Sequence, residues 1–437
     1  MNVCVYTLGC RLNQCESEAI ADSFAQEGFT IVSEREQSDL FIVNTCTVTS
    51  KAEQKARRMI RKFSEQGVTI VTGCYAQLNG DELSALGERL IIVPLSKKAH
   101  LLKLAAHINS CLLAGFTLFE AAVSFGDEEA SPFDYDAASF SYHSRAYLKI
   151  QDGCDNSCAY CRVHIARGKA VSLDAETVVE RALALQEAGF QEIMLTGVNL
   201  TMYDHQGAGL GGLLEALLAS LSSSMRLRLS SMEPDHIDAR LLAVLKDHRM
   251  QPHFHIPIQS GSDRILGRVE RKYTIAELKR ILAGLREVKD DPFIAADFIT
   301  GLPGESDADF ALTRDLIISE QFASLHVFPF SPRPGTPLAN ASDRVTESLR
   351  DERASELRQL GRTLFERYRS RQVGAVGEVI LQSRKGGAWY GVSGNYLEVR
   401  IDDPPAFGRE GMLVAGRFGP VLEKENRIAF QVEHQVI

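Results

Sequence analysis

The chain has 437 residues, a formal net charge of -9, 45% hydrophobic residues and 24% charged residues. This composition is typical of a soluble protein of two or three domains, and no apolar run approaches the ~18 residues that a membrane span needs. The net charge argues against a protein that coats nucleic acid nonspecifically, although local basic patches stay open. Nine cysteines behind an N-terminus without a leader pattern predict reduced thiols in the cytoplasm.

The first segment, to about residue 125, alternates strand-like runs with helical stretches. Such alternation predicts a parallel α/β sheet. The predicted strands are residues 2–7, 40–44, 68–72 and 90–94, and the predicted helices are residues 13–27 and 50–66.

Three cysteines follow three successive predicted strands. Cys10, Cys46 and Cys74 each stand just beyond a strand end. In open α/β sheets the ligand crevice lies beyond the carboxyl ends of the strands, so the three thiols are expected to converge. The alternative is that small apolar cysteines simply close buried strands.

The remaining cysteines of this segment have weaker patterns. Cys4 lies inside a strand and Cys111 in a helical apolar stretch, so both are interpreted as packing residues. Cys15, on the predicted first helix, stays open as a replacement ligand for Cys10.

The central segment alternates strand and helix six times. An acidic linker, residues 126–143, precedes it, and six βα units predict a partial (βα)6 barrel with its chemistry at the strand ends. The predicted strands are residues 147–151, 192–196, 225–230, 253–258, 293–299 and 324–330, with helices such as 174–188 and 274–288 between them.

A CxxxCxxC triad follows the first strand of this segment. Cys154, Cys158 and Cys161 supply three thiolates, whereas a cubane of four irons and four sulfides needs four outer ligands, so one iron is left open. A zinc site is one alternative, but it would need a second group of Cys and His ligands beyond the nearby His164. A disulfide framework is the other, and it would need an oxidising compartment. The spacing favours iron–sulfur chemistry.

The last part of the chain changes character. Residues 343–371 read as a charged, solvated connector helix, and short β runs punctuated by glycine predict a small antiparallel β-barrel. The predicted strands are residues 379–382, 388–391, 396–400, 411–418 and 427–432, with a turn at 402–405.

With these motifs the chain resembles the methylthiotransferases of the radical S-adenosylmethionine (SAM) superfamily over nearly its whole length. Several short strings carry the resemblance. They are residues 7–14 (TLGCRLNQ), 44–46 (NTC) and 72–74 (TGC) for three auxiliary-cluster loops, and residues 255–262 (HIPIQSGS) and 301–305 (GLPGE) for the barrel.

The resemblance implies a domain order and a reaction. Residues 1–125 are expected to be a methylthiotransferase domain, 144–371 a radical SAM domain with its connector helix, and 372–437 a TRAM domain. Residues 229–234 and 326–332 look most like the branch that adds a methylthio group to carbon 2 of threonylcarbamoyladenosine-37 in tRNA. Sibling branches act on isopentenyladenosine-37 or on an aspartate of a ribosomal protein.

The resemblance also implies cofactors and partners. Cys154, Cys158 and Cys161 would hold the [4Fe-4S] cluster that cleaves SAM. The thiols of Cys10, Cys46 and Cys74 would hold a second [4Fe-4S] cluster that presents the sulfur. Two equivalents of SAM, a one-electron reductant such as flavodoxin or ferredoxin, a sulfur donor and tRNA are implied as well.

The chain departs from the family pattern at two places. Residues 162–165 stand where the family usually has an apolar pair and a proline before Ala166-Arg167-Gly168. The substrate-facing wall is therefore expected to differ. Cys15 replaces a common tyrosine and adds a thiol near the auxiliary site.

Strand ends of the barrel suggest contacts to SAM. Thr196 and Gly197 are candidates for its amino end, because glycine permits close backbone approach. The other candidates are Glu233, Gln259, Ser260 and Asp297. Alternatively, Glu233 is simply an acidic residue in a surface turn before Pro234. Asp297 could face a lysine partner instead of the site.

Basic residues behind Cys46 suggest a phosphate-binding helix. Lys55, Arg58, Arg61 and Lys62 are the candidate RNA contacts, with a simply solvated helix as the alternative. The TRAM-like segment is balanced in charge, so an RNA role there depends on the resemblance and on aromatic side chains such as Trp389 and Tyr396.

Two readings from other classes stay open. One is a radical SAM enzyme that acts on a small metabolite, with the N-terminal cysteines as an electron relay. The other is a metal-stabilised RNA-binding module without catalysis, which would contain zinc.

Overall fold

The computed structural model describes residues 1–126, 128–135, 144–403 and 408–436. Among these residues no helix combines the length and the apolar character that crossing a bilayer requires. The chain forms two compact units. Residues 1–135, Lys149–Leu173 and Ser331–Ala339 belong to the first, and residues 144–148, 174–330 and 340–436 belong to the second. Part of the expected linker and of the turn at 402–405 lies outside the described residues.

A five-stranded parallel sheet is the centre of the first unit. Its strands are β1 (Asn2–Thr7), β2 (Thr30–Ile31), β3 (Leu40–Thr45), β4 (Val68–Gly73) and β5 (Leu90–Ile92), in the order β2-β1-β3-β4-β5. Every residue of β3 and β4 is buried, as expected for parallel strands covered on both faces. The predicted parallel α/β sheet is confirmed, whereas β2 was missed because two residues carry no periodicity.

Helices cover this sheet. They are α1 (Arg11–Gln26), α2 (Ser50–Gln66), α3 (Cys74–Ser84), α4 (Leu95–Lys98), α5 (Leu104–Leu113) and α6 (Leu118–Val123). One apolar core takes Phe24 from α1 and Ile108 from α5. A second takes Phe63 from α2 and Tyr75 from α3. The first unit also holds β7 (Gln151–Asp152), α7 (Val163–Arg167) and β8 (Val171–Ser172).

Six strands form the open barrel of the second unit. They are β6 (Ala146–Lys149), β9 (Glu192–Thr196), β10 (Arg226–Leu229), β11 (His253–Gln259), β12 (Phe293–Thr300) and β13 (Ser324–Pro329). They make two sheets, β10-β9-β6 and β11-β12-β13, which a parallel bridge between Ser231 and His255 joins. The predicted partial (βα)6 barrel is therefore confirmed.

Helices follow these strands. They are α8 (Ala175–Glu187), α9 (Gly209–Ser220), α10 (Ala239–Val244), α11 (Asp263–Arg268), α12 (Ile275–Val288) and α13 (Asp307–Glu320). Side-chain caps start most of them. Asp174 accepts from the Thr177 N–H at the start of α8, and Thr274 forms a capping box with Glu277 at the start of α12.

The helix α14 (Glu347–Gln372) was expected to be a solvated connector, and this is wrong for one of its faces. Leu357, Leu364 and Tyr368 are buried on it, and α14 packs against β12 and β13. The misreading has a simple cause. The many arginines of α14 mask its sparse apolar stripe, and one of them, Arg353, is itself buried in an ion pair with Glu305.

A closed antiparallel barrel ends the chain, with one parallel pair. Its strands are β14 (Val376–Lys385), β15 (Ala388–Ser393), β16 (Glu398–Ile401), β17 (Leu413–Leu422) and β18 (Arg427–Gln435), in the order β14-β15-β16-β18-β17. Its core includes Trp389, Val414 and Phe430. This barrel confirms the expected small C-terminal β-barrel.

Candidate functional site

Three thiols gather at the carboxyl edge of the N-terminal sheet. Cys10 follows β1 and caps α1, Cys46 follows β3, and Cys74 follows β4 and opens α3. Burial raises the pKa of the Cys46 thiol to about 12, and the nearby thiols of Cys10 and Cys74 add to the rise. Cys10 and Cys74 stand at helix N-termini, where backbone N–H groups favour an anionic ligand.

Glycine lets the first two loops approach each other. Gly9 has φ +108°, and an ideal Cβ placed there would lie 2.8 Å from Cys46 Cβ and 3.0 Å from Cys46 Sγ. Any larger residue would separate the loops of Cys10 and Cys46 or strain the backbone. The close approach of Cys46 thus explains why glycine directly precedes Cys10.

The second set of thiols lies on the loop between β7 and α7. Burial raises the pKa of Cys161 to about 12, with further contributions from the thiols of Cys158 and Cys154. The Val163 N–H donates to Cys161 Sγ at 3.4 Å. A Cβ at Gly153, where φ is +69°, would lie 1.9 Å from the Lys169 carbonyl oxygen, so only glycine fits at the start of this loop.

The remaining cysteines are Cys4, Cys15 and Cys111. Cys4 is buried in the core beneath α2, and Cys111 packs against the core that contains Phe24. Cys15 is buried on α1, and burial, followed by the charges of Glu18 and Glu16, raises its pKa. The charge of Lys149 and a hydrogen bond with its backbone act in the opposite direction.

A buried ion cluster lies against the N-terminal thiols. Glu16, 1% exposed, accepts from Lys98, from Lys149 at 2.7 Å and from Arg167 at 3.1 Å. Burial acts to raise the pKa of Glu16, but the three cations hold it well below its ordinary value. A carboxylate that stays ionised in the interior needs such partners.

Arg167 connects this cluster to the thiols. Its Nε donates to Cys74 Sγ at 3.3 Å, and its Nη2 donates to Asn13 Oδ1 at 2.8 Å. Its Nη1 donates to both carboxylate oxygens of Asp152, at 2.9 and 2.8 Å. Arg167 ends α7, six residues after Cys161. A side chain close in sequence to the CxxxCxxC triad therefore contacts a cysteine of the other set.

A second buried network explains the unusual residue after the triad. Arg162 donates to Glu53 Oε1 at 3.0 Å and to Asn79 Oδ1 at 2.9 Å. Arg333 also binds Glu53, and it donates to Thr47 Oγ1 at 3.3 Å. The expectation of an altered substrate-facing wall remains a prediction. What the structure shows is that Arg162 is buried among polar partners.

Sequence reasoning missed both networks. Glu53 stood out only as the single acid in a basic helix, and Glu16 and Arg167 carried no visible sign of pairing. The departure at residues 162–165 was the available signal, because an arginine in place of an apolar residue needs a buried acid.

Several predicted cofactor contacts lie at strand ends of the barrel. Thr196 ends β9, and its hydroxyl is buried with no hydrogen-bond partner among the described residues. The hydroxyl of Ser230, after β10, has the same character. Gln259 ends β11 at a β-bulge with φ 75°, a conformation that is rare outside glycine, and Ser260 follows it, 1% exposed.

The two predicted acids have protein partners. Glu233 binds Arg271 through both carboxylate oxygens, and burial raises the pKa of Glu233 to about 7. Asp297 accepts from His255 at 2.7 Å and from His326 at 2.9 Å. Although burial acts to raise the pKa of Asp297, these bonds hold it below its ordinary value.

The predicted basic helix is α2. Lys55, Arg58, Arg61 and Lys62 are all exposed on it. Arg57 differs, because its Nη1 donates to the Tyr75 hydroxyl at 2.5 Å. The exposed cations of α2 therefore form a basic face on the helix that starts four residues after Cys46.

Family models match two parts of the chain. The uncharacterized protein family UPF0004 matches residues 2–93, and the radical SAM superfamily matches residues 148–317. Relatives named threonylcarbamoyladenosine tRNA methylthiotransferase MtaB match most of the chain. The protein of Treponema pallidum is 36% identical over 84% of this chain and 88% of its own, and that of Thermotoga maritima is 34% identical over 89% and 87%.

The chain belongs to the MtaB family of radical SAM methylthiotransferases. A third member, from Bacillus subtilis, is 34% identical over 91% of this chain and 89% of its own. Among solved structures, the radical SAM methyltransferase TsrM of Kitasatospora setae matches 77% of each chain with a TM-score of 0.54 and 14% identity, a likeness of fold.

Membership of the radical SAM superfamily implies a [4Fe-4S] cluster and SAM. The residues present fit both. Cys154, Cys158 and Cys161 offer three neighbouring thiols, a donor set that would leave one iron of such a cluster open. The unpartnered buried hydroxyls of Thr196 and Ser230 are polar atoms of the kind that a bound polar ligand satisfies.

Proposed function

We propose that this chain adds a methylthio group to carbon 2 of threonylcarbamoyladenosine-37 in tRNA, the activity named for its MtaB relatives. The observation that carries the proposal is the presence of two assembled sets of three thiols in the first unit. One set suffices to cleave SAM, so the second set requires a separate role.

Cys154, Cys158 and Cys161 are proposed to hold the cluster that binds SAM. With this cluster, SAM supplies a radical strong enough to activate an aromatic C–H bond, which acid–base side chains cannot do. The segment that carries the three thiols is closed at its two ends, because the Cys154 N–H donates to the Gly168 carbonyl at 3.1 Å.

Cys10, Cys46 and Cys74 are proposed to hold a second [4Fe-4S] cluster that presents the sulfur. Three thiolates again leave one iron open for it. Arg167 supports this assignment, because its N–H···S bond to Cys74 stabilises a thiolate. A second equivalent of SAM would then provide the methyl group.

Thr196, Gly197, Gln259 and Ser260 are proposed to contact SAM. Thr196 offers an unpartnered hydroxyl, and the strained backbone at Gln259 is typical of positions that bind a ligand. Direct contact from Glu233 or Asp297 stays a prediction, since each carboxylate already has protein partners.

The exposed cations of α2 are proposed to bind tRNA phosphates. Reversing the charge at Arg58 and Arg61 should weaken tRNA binding and lower its salt dependence. The matched control reverses Lys279 and Arg280, which are exposed on α12. Equal effects of the two double variants, measured by filter binding at several salt concentrations, would leave α2 a solvated helix.

The proposed reaction needs partners outside the chain. A one-electron reductant of the flavodoxin or ferredoxin class would reduce the cluster, and a sulfur donor would reload the second site. The tRNA substrate puts the reaction in the cytoplasm.

Nucleoside mass spectrometry of tRNA from cells with and without the gene tests the function. We expect the methylthio form of threonylcarbamoyladenosine to disappear in the deletion and to return with wild type but not with Cys158→Ala. An unchanged nucleoside would overturn the proposal and direct attention to isopentenyladenosine-37 and to the ribosomal protein.

A further inference from the structure

Three potential metal ligands meet on neighbouring barrel strands. His255 lies on β11, Asp297 on β12 and His326 on β13. Asp297 pairs in register with His326, and Pro257, two residues after His255, pairs with Asp297. Because side chains alternate along a strand, the three residues share one face of the sheet.

Their donor atoms are close together. His255 Nε2 lies 2.7 Å and His326 Nδ1 lies 2.9 Å from Asp297 Oδ1, and one donor atom from each residue lies within 4.8 Å of the others. Tetrahedral ligands of one divalent ion at ~2.1 Å stand about 3.4 Å apart. The two hydrogen bonds to Asp297 would therefore lengthen by less than about 1 Å when an ion replaces their protons.

The environment of His255 adds a second observation. Its other ring nitrogen, Nδ1, lies 2.6 Å from Ser231 Oγ. A histidine that binds a metal through one nitrogen usually has the other held by a hydrogen-bond partner, which fixes the tautomer and the ring orientation. The backbone holds the pair as well, because the Met232 N–H donates to the His255 carbonyl at 2.9 Å.

The three side chains are all at least partly exposed. His255 and Asp297 are 18% and 19% exposed, whereas His326 is 50% exposed. With neutral imidazoles the set carries one negative charge, which favours a cation. Three protein ligands also leave at least one position of a four-coordinate ion open.

We propose that His255, Asp297 and His326 form a binding site for a divalent first-row transition metal, distinct from the cysteine sets. Two imidazoles and one carboxylate are a common donor set for zinc and iron(II), and open positions accept an oxygen ligand. The inference is independent of the proposed tRNA substrate.

The test uses zinc as the probe and the holoenzyme as the protein. The enzyme is reconstituted anaerobically with iron and sulfide, mixed with Zn²⁺, passed through a desalting column and analysed for zinc and iron by mass spectrometry. Calorimetric titration then gives the affinity. Loading the thiol sites with iron first keeps zinc from occupying them.

We expect about one zinc per wild-type chain with no loss of iron. The variant His326→Ala should weaken zinc binding at least tenfold, and Ser231→Ala should weaken it by a smaller factor. The control His248→Ala removes a histidine whose side chain is 78% exposed elsewhere in the second unit, and it should bind as wild type.

Three results would overturn the site. They are absence of stoichiometric zinc in the wild type, equal zinc in the wild type and in His326→Ala, and zinc gained only as iron is lost. The last result would assign the zinc to the thiols. Because His326 is half exposed, its alanine variant should fold, and iron content checks this directly.

Discussion

Each unit of the molecule contains a buried carboxylate that three cations surround. In the first unit Glu16 has two lysines and Arg167 as partners. In the second unit Glu192, fully buried, has Arg228 at 2.7 Å, Arg226 at 3.0 Å and Arg145 at 3.4 Å. The electrostatic arrangement is the same, and in both places the cations offset the cost of removing charge from water.

The two clusters differ in what their arginines contact next. Arg167 also donates to the Cys74 thiol. Arg228 also donates to the backbone carbonyls of Ser393 and Gly394, in the C-terminal barrel. One cluster therefore supports a proposed ligand, and the other joins two β structures of the second unit. We expect their variants to separate chemistry from stability.

The largest effect is expected at Glu192. The change Glu192→Gln leaves Arg145 and Arg228 without their counter-ion and Arg226 with only the more distant Glu378, at 3.9 Å, as an acidic partner among the described residues. It should lower the free energy of unfolding by about 3–5 kcal/mol. Glu187→Gln, an exposed position on α8, is the control and should change it by less than about 0.5 kcal/mol. Urea denaturation measures both. A loss below about 1 kcal/mol for Glu192→Gln would contradict the stabilising role.

Acid should remove the same contribution. Burial acts to raise the pKa of Glu192, but the charges of Arg228, Arg226 and Arg145 lower it from 4.5 to about 2. The folded-state pKa is depressed, so the stabilisation, about 3 kcal/mol, is present above pH 4.5 and is lost as the pH falls towards 2. The stability gap between wild type and Glu192→Gln should thus narrow between pH 6 and pH 3. A stability difference between wild type and Glu192→Gln that stays constant over this pH range would contradict the explanation.

The contact between Arg167 and Cys74 gives a test of the first cluster's effect on the proposed iron–sulfur site. Arg167→Lys keeps the charge but loses the fork that reaches Cys74, Asn13 and Asp152. The N-terminal site should retain iron at least tenfold more weakly, and its reduction potential should move to more negative values, because hydrogen bonds to sulfur tune both. A background with alanine at Cys154, Cys158 and Cys161 isolates this signal for electron paramagnetic resonance.

The matched control for that variant is Arg228→Lys in the second unit. We expect it to lower stability and to leave the potential of the N-terminal cluster unchanged. Equal shifts of the potential in both variants would mean that Arg167 acts through general stability and not through its contact with the thiol.

The smallest effect is expected at Arg162. The change Arg162→Ile should cost about 1 kcal/mol, because Glu53 keeps Arg333 as a charged partner. Thermal unfolding of this variant beside Arg333→Met measures the share of each arginine. A loss above about 3 kcal/mol for Arg162→Ile would show that Arg333 alone does not hold Glu53.

Local patterns were enough to predict the sheet and the barrel. Strand β1 has the predicted bounds, as do α2 and β9, since these segments are strongly periodic and flanked by turn residues. Cysteines at strand ends were predicted to converge because parallel topology aligns those ends.

The ion clusters were beyond prediction because their partners are remote in sequence. Lys98, Lys149 and Arg167 lie 82, 133 and 151 residues from Glu16. Nothing local distinguishes a charge that will be buried from one on a solvated face. The same limit applies to His255, Asp297 and His326, whose meeting depends on the order of three strands.

The proposed division of labour between the two thiol sets is tested most directly in vitro. Reconstituted wild type and Cys46→Ala are incubated with SAM, reductant and tRNA that carries threonylcarbamoyladenosine, and 5′-deoxyadenosine and the methylthio nucleoside are quantified. We predict that Cys46→Ala still forms 5′-deoxyadenosine but no methylthio nucleoside. Formation of the methylthio nucleoside by Cys46→Ala at the wild-type rate would contradict the central claim.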